Sequence, residues 1–211
     1  GKLLINSLLI NFIFSVVLFG LVYLVSISVI DHLGQSPDVV IHAKPYLNLL
    51  GFSIIPLMIF QAFKQFTEGL GFTKQAMMVS IWGNVIHVRI ILVKGMFGIS
   101  PMGVKGVGIS TLIDRILMAT VMGIYVFRSK NFKAYLTDFT VAAIDKLRIK
   151  EIIKIGAPVA MQYSFEISAF SGAGIIIGTI GKVEQAAHFT ALSLAAFTYM
   201  LASGIASAAT I

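Results

Sequence analysis

The feature that most constrains this chain is a series of long apolar blocks separated by short polar clusters. The first, Leu4–Ile30, contains no charged residue at all. A helix needs about 20 mostly apolar residues to cross a bilayer. Several blocks reach that length, so the sequence predicts an all-α bundle of transmembrane helices. Six spans are expected: Leu4–Ile30, Tyr46–Phe63, Gln75–Phe97, Lys105–Phe127, Ile152–Ile180 and Gln185–Ala208. Composition agrees. Hydrophobic residues make up 57% of the 211, and charged residues only 12%, about half the share a soluble domain needs.

The connections carry the turn and charge signals. Gly34, Pro37 and Pro45 mark Asp31–Pro45 as a turn-rich connection. Gly69 and Gly71 close the second span, Gly98, Pro101 and Gly103 separate the third from the fourth, and Gly181 separates the fifth from the sixth. The long connection, Arg128–Glu151, is strongly basic. Its apolar residues Leu136, Phe139, Val141, Ile144 and Leu147 predict an amphipathic helix on the membrane surface. The net charge of +7 therefore reads as membrane topology and not as nucleic-acid binding. With the amino end cytoplasmic, Lys2, Lys64, Lys74 and the basic cluster from Arg128 to Lys154 fall on one side, as the positive-inside rule requires. The linker 128–151 is then cytoplasmic and divides the chain into 1–127 and 152–211. The chain has no cysteine, hence no disulfide or cysteine metal site. Gly1 without a methionine, and Ile211 directly after a helix-like run, lead us to expect an internal piece of a longer protein.

Few residues inside the spans carry chemistry. Glu166 is 14 residues into the fifth span, about 21 Å along a helix rising ~1.5 Å per residue, and so near mid-bilayer. Intramembrane acids usually face a cavity or a partner, and burial raises a carboxylate pKa toward neutral pH. Glu166 is read either as a coupling site or as a protonated residue that only holds helices together. Gln162 is one turn earlier on the same face and within hydrogen-bond reach. Asp114 and Arg115 are read as an ion pair or water-facing charges near the outer edge, or with Asp114 on a polar cavity wall. Asn84 and His87, with Trp82 close by, lie in the third span; Asn84 fits a helix–helix hydrogen bond, and His87 and Arg89 reach toward headgroups. His188 is expected to pack. Pro56 and Pro158 stand inside helices, where lost backbone bonds need neighbours or a cavity. Gly174, Gly178, Ser164, Ser168 and Ser171 form a small-residue face suited to close helix packing. No histidine or acid has metal-ligand spacing, and there is no phosphate loop or nucleophile motif.

Four motifs together carry a resemblance. They are Ala43-Lys44-Pro45-Tyr46-Leu47 with Pro56 and Phe66-Thr67-Glu68-Gly69-Leu70-Gly71; Asn84 followed by Pro101-Met102-Gly103-Val104-Lys105-Gly106-Val107-Gly108-Ile109-Ser110-Thr111; Ile155-Gly156-Ala157-Pro158 with Gln162 and Glu166; and Ala186-Ala187-His188 with Gly204-Ile205-Ala206-Ser207-Ala208. In this order and spacing the chain resembles the multidrug and toxic compound extrusion (MATE) transporters, over their helices three to eight of twelve.

The resemblance implies two lobes of six helices joined by a cytoplasmic loop at 128–151, in an inner-membrane protein whose lobes rock around a central cavity. It implies antiport, with small organic cations leaving as Na⁺ or H⁺ enters, no other cofactor, and membrane lipids plus the remainder of its own chain as partners. It assigns cation coupling to Glu166 and puts Gln162, Asn84 and Tyr46 at the substrate cavity; Asp114 matches no family position and joins the cavity only through the reading of its own place in the span. Phe189 departs from the family's glutamine. Two alternatives are a lipid-linked oligosaccharide flippase, which needs several cations in its cavity, and a membrane transferase, which needs clustered acids or a His–Asp pair. Arg89 and Arg115, both expected near an edge, are the only arginines inside spans, and Asp31-His32 sits in a turn.

Overall fold

The computed structural model describes residues 1–32, 37–85 and 102–209, leaving aside the side chains of Asp38, Asn84, Val85, Val141 and Ser207. Among the described residues the chain is an all-α membrane bundle. Its main helices are α1 (Lys2–Leu24), α2 (Pro37–Gly69), α3 (Thr73–Val85), α4 (Gly103–Arg128), α5 (Lys146–Ile180) and α6 (Lys182–Ala209). A π-helical stretch, Val25–Val29, and a 3₁₀ turn, Ile30–His32, continue α1. Five helices are long and apolar enough to cross a membrane, which makes this a multi-pass membrane protein. The third expected span, Gln75–Phe97, corresponds at its start to α3; its remainder, with His87, Arg89 and Lys94, lies outside the described residues.

Two helices begin earlier than hydropathy predicts. The segment read as a connection up to Pro45 is helical from Pro37. Proline is tolerated in a helix's first turn, because the N–H it lacks has no partner there. Pro45 and Pro56 then sit within α2. Likewise α5 starts at Lys146, within the expected linker. Asp145 caps it, its Oδ1 accepting from Leu147 N at 2.9 Å. Lys, Arg and Glu are good helix formers, so a helix continues past the bilayer where apolarity ends. This cap is worth about 1 kcal/mol.

The turn after α2 is built as the glycines predict. Phe72 N donates to Thr67 O, and Gly71 N to Glu68 O, both at 2.9 Å. This pair of bonds is a Schellman motif, with Gly71 at φ +82 in the left-handed position that costs other residues ~1–2 kcal/mol.

α2 is the centre of the first bundle, packed between α1 and α4, with α3 against α4. Gly108 of α4 lets Leu49 and Tyr46 of α2 approach: an added Cβ would stand 3.0 Å from Leu49 Cδ1. The best-buried apolar cluster lies at one end of the bundle. It joins Leu4 of α1, Phe60 and Phe63 of α2, Ala76 of α3, and Met122 and Val126 of α4.

The linker closes over that end. The expected surface helix is not there; the segment forms a 3₁₀ turn (Lys130–Phe132), one α-helical turn (Lys133–Leu136) and a second 3₁₀ turn (Val141–Ala143). The reason is aromatic. Phe132 is fully buried among Phe66, Phe72 and Tyr125, and Phe139 packs edge-on to Phe127 at 5.2 Å. These anchors lie seven residues apart with a turn between, and pull the chain onto the bundle instead of letting it lie flat. Asn6 of α1, buried, completes the attachment. Its Nδ2 donates to Lys2 O and Ala143 O, and its Oδ1 accepts from Asp145 N at 2.9 Å.

Candidate functional site

In α5, the residues between Lys154 and Lys182 include one charged side chain, Glu166. It lies 12 residues after Lys154 and 16 before Lys182, ~18 and ~24 Å along the helix axis. That is mid-bilayer depth for a hydrocarbon core of about 30 Å. Glu166 therefore stands where a carboxylate is costly, and where it is retained for a cavity, partner or ion pathway.

The antiparallel neighbour α6 forms the other wall. Gly181 separates the two helices, and Gly174 sets their spacing. It is buried, with an added Cβ meeting Phe189 Cζ at 2.7 Å. Gln185, one turn before Phe189, donates from Nε2 to Gly174 O at 3.2 Å. Of the small-residue face expected on this helix, Gly174 packs against α6 at Phe189, while Ser164, Ser168 and Ser171 are exposed.

Above that contact the helices frame a groove of about 490 Å³. Glu166, Phe170 and Ser171 line one wall; Leu192, Ala196 and Tyr199 line the other. The surfaces are mostly apolar and aromatic, with one carboxylate and one phenol. Such a lining suits a ligand with an apolar body and a positive charge, since ring faces and a carboxylate both attract cations. Tyr199 and Phe170 were not singled out by sequence. Both sit in uniformly apolar runs, and only the pairing of α5 with α6 brings them opposite Glu166.

The remaining site residues fall elsewhere. Gln162 is one turn before Glu166 and exposed, but no hydrogen bond joins the two among the described residues. Tyr46 is half-buried on Gly108, at the α2–α4 contact. Asn84 is in the last turn of α3.

Asp114 corrects its expected position. It is nine residues past Lys105 and fourteen before Arg128, near the middle of α4 and not at an edge. It is 7% exposed, beside a pocket lined by Met78, Trp82 and Met118. Arg115, also mid-helix, points to another face, as adjacent helix residues must, and donates from Nη1 to Ser53 Oγ of α2. Ser110, Thr111 and Ser53 are buried with them, so the first bundle also has a polar interior at mid-depth. His188 is half-buried, its ring 5.7 Å from that of its chain neighbour Phe189. Asp31 and His32 diverge: Asp31 pairs with Lys44 at 2.7 Å, while the His32 ring meets Ser28 O at 2.9 Å. Among the described residues no cluster of acids and histidines could hold a metal.

Residues 1–93 match the MatE family. The chain is similar to a probable multidrug resistance protein NorM of Pseudomonas putida, 29% identical over 84% of this chain and 39% of the relative. It is 32% identical to one of Xylella fastidiosa over 92% and 43%, and 28% identical to one of Streptococcus pneumoniae over 92% and 43%. The chain thus spans about two fifths of the length of the curated relatives it matches.

Proposed function

We propose, on the premise that this chain belongs to the MATE family, that it forms part of a secondary transporter exporting organic cations in exchange for Na⁺ or H⁺. The observation that carries this reading is the α5–α6 groove, with one mid-bilayer carboxylate opening between aromatic walls. Its relatives are probable multidrug resistance proteins, which agrees with a transporter rather than an enzyme.

The coupling follows from charge. Glu166 holds either the coupling cation or the drug cation, because one carboxylate neutralises one positive charge well. A gradient drives export only if the two states of the protein differ in affinity for each ligand. Inward Na⁺ or H⁺ therefore displaces the drug from Glu166. Tyr46, Asn84, Gln162 and Asp114 belong, in this reading, to the wider polar lining of the two halves. The basic linker faces the cytoplasm of an inner-membrane protein, with residues 1–127 and 152–211 in separate lobes that rock about it. Pro158, two turns before Glu166, weakens the helix where it has to flex.

The test is equilibrium binding of a fluorescent lipophilic cation to the full-length transporter carrying this chain. Wild type should release the dye as Na⁺ is added or pH lowered. Glu166→Gln should bind it at least tenfold more weakly, with no further response to either ion. Unchanged competition in Glu166→Gln would defeat the proposal.

A further inference from the structure

Where the linker meets α1 and α5, two surface features adjoin. The first is an open depression of about 550 Å³ lined by Lys2, Lys146 and Arg148, with one acid, Asp145, and with Ile144. The second is an apolar groove of about 470 Å³ along Ile5, Leu8, Leu9, Phe12 and Phe139, which also reaches Ile144. Ile144 is common to both, so a cationic cup opens directly onto an apolar channel that runs down α1 into the membrane-spanning region.

The cup is held in shape. Its floor is the backbone at 143–145, fixed by the buried Asn6 amide through Ala143 O and Asp145 N. Its charges are only partly balanced. Lys2 lies 3.8 Å from Asp138, and Arg148 is 4.0 Å from Asp145. All four groups are exposed, and such pairs contribute little. Lys146 has no carboxylate partner among the described residues. Lys150 and Lys154 follow at helical spacing along α5, extending the positive surface.

We propose that this composite feature is a binding site for an anionic phospholipid. The headgroup phosphate sits among Lys2, Lys146 and Arg148, and an acyl chain lies along Leu8, Leu9, Phe12 and Phe139. Two chemistries point to one molecule. Basic pockets at the membrane surface select anionic headgroups, each cation contributing the equivalent of about fivefold in affinity. An adjoining apolar groove at the same depth is matched by an acyl chain and not by a soluble anion. Lys2 belongs to α1, and Lys146 and Arg148 to α5, so the bound lipid bridges the first bundle and the α5–α6 hairpin where the linker ends.

The full-length protein is reconstituted in nanodiscs with equal phosphatidylglycerol and phosphatidylcholine, and the lipid it retains in detergent is measured by native mass spectrometry. Wild type should retain phosphatidylglycerol at least tenfold over phosphatidylcholine. Lys2→Gln/Lys146→Gln/Arg148→Gln should lose most of that preference. The charge-matched variant Lys64→Gln/Lys74→Gln/Lys130→Gln should keep it. Leu9→Trp, which fills the groove without changing charge, should lower retention severalfold. Equal loss in both triple variants would mean diffuse surface attraction and overturn the site. Full displacement of the lipid by millimolar inorganic phosphate, or an unaffected Leu9→Trp, would overturn the lipid as its occupant.

Discussion

At the scale of single residues, Glu166 and Asn6 show two opposite uses of a polar side chain in an apolar helix. Glu166 is exposed to a groove and has no hydrogen bond among the described residues, which leaves its carboxylate open to the groove. Asn6 is buried and bonded on both of its amide atoms, as befits a permanent joint. Asn6→Ala leaves the Ala143 carbonyl and the Asp145 N–H without partners. We expect a stability loss of roughly 1–3 kcal/mol per orphaned group, seen as a lowered unfolding midpoint. Asn6→Asp, which keeps only the acceptor for Asp145 N, should lie between. Gly71→Ala should cost about 1 kcal/mol through its left-handed backbone alone, with transport unchanged; loss of transport at equal stability would assign that turn a further role. Glu166 was conspicuous in the sequence as a lone charge in a long apolar block. Asn6 was not, since its value lies in a partner more than 130 residues away.

At the scale of elements, helix existence was legible and helix ends were not. Hydropathy marks where a chain is apolar enough for lipid, but α2 and α5 continue beyond that limit because proline at a first turn and a capping aspartate permit it. The linker shows the same gap. Its basic, half-apolar pattern fits a surface helix, yet Phe132 and Phe139 find buried places that periodicity alone does not reveal. Phe132→Ala should destabilise by about 3–5 kcal/mol and loosen the linker, which limited proteolysis within 129–145 would detect; an uncut linker would contradict the anchoring. In the hairpin, Gly174 and Phe189 set the α5–α6 spacing and so the groove width. Gly174→Leu should overpack by ~1–3 kcal/mol and weaken dye binding. Phe189→Ala in the same chain should recover part of both, and absence of recovery would show that Phe189 does not define the spacing.

At the scale of the whole molecule, the bundle's buried apolar core gathers at the end carrying the linker, while the α5–α6 hairpin exposes nearly all of its apolar surface. The all-α membrane class followed from the sequence on elementary grounds, since every backbone group in a bilayer needs an internal partner. The groove did not, because it depends on which face of α6 turns toward Glu166. The most direct test is transport itself. The full-length protein in sealed vesicles, loaded with a fluorescent organic cation, is given either a pH or a Na⁺ gradient, with wild type and Glu166→Gln side by side. The account predicts that one gradient drives dye movement in wild type and that the variant loses it by at least a hundredfold. Gradient-driven movement that survives intact in Glu166→Gln would contradict it.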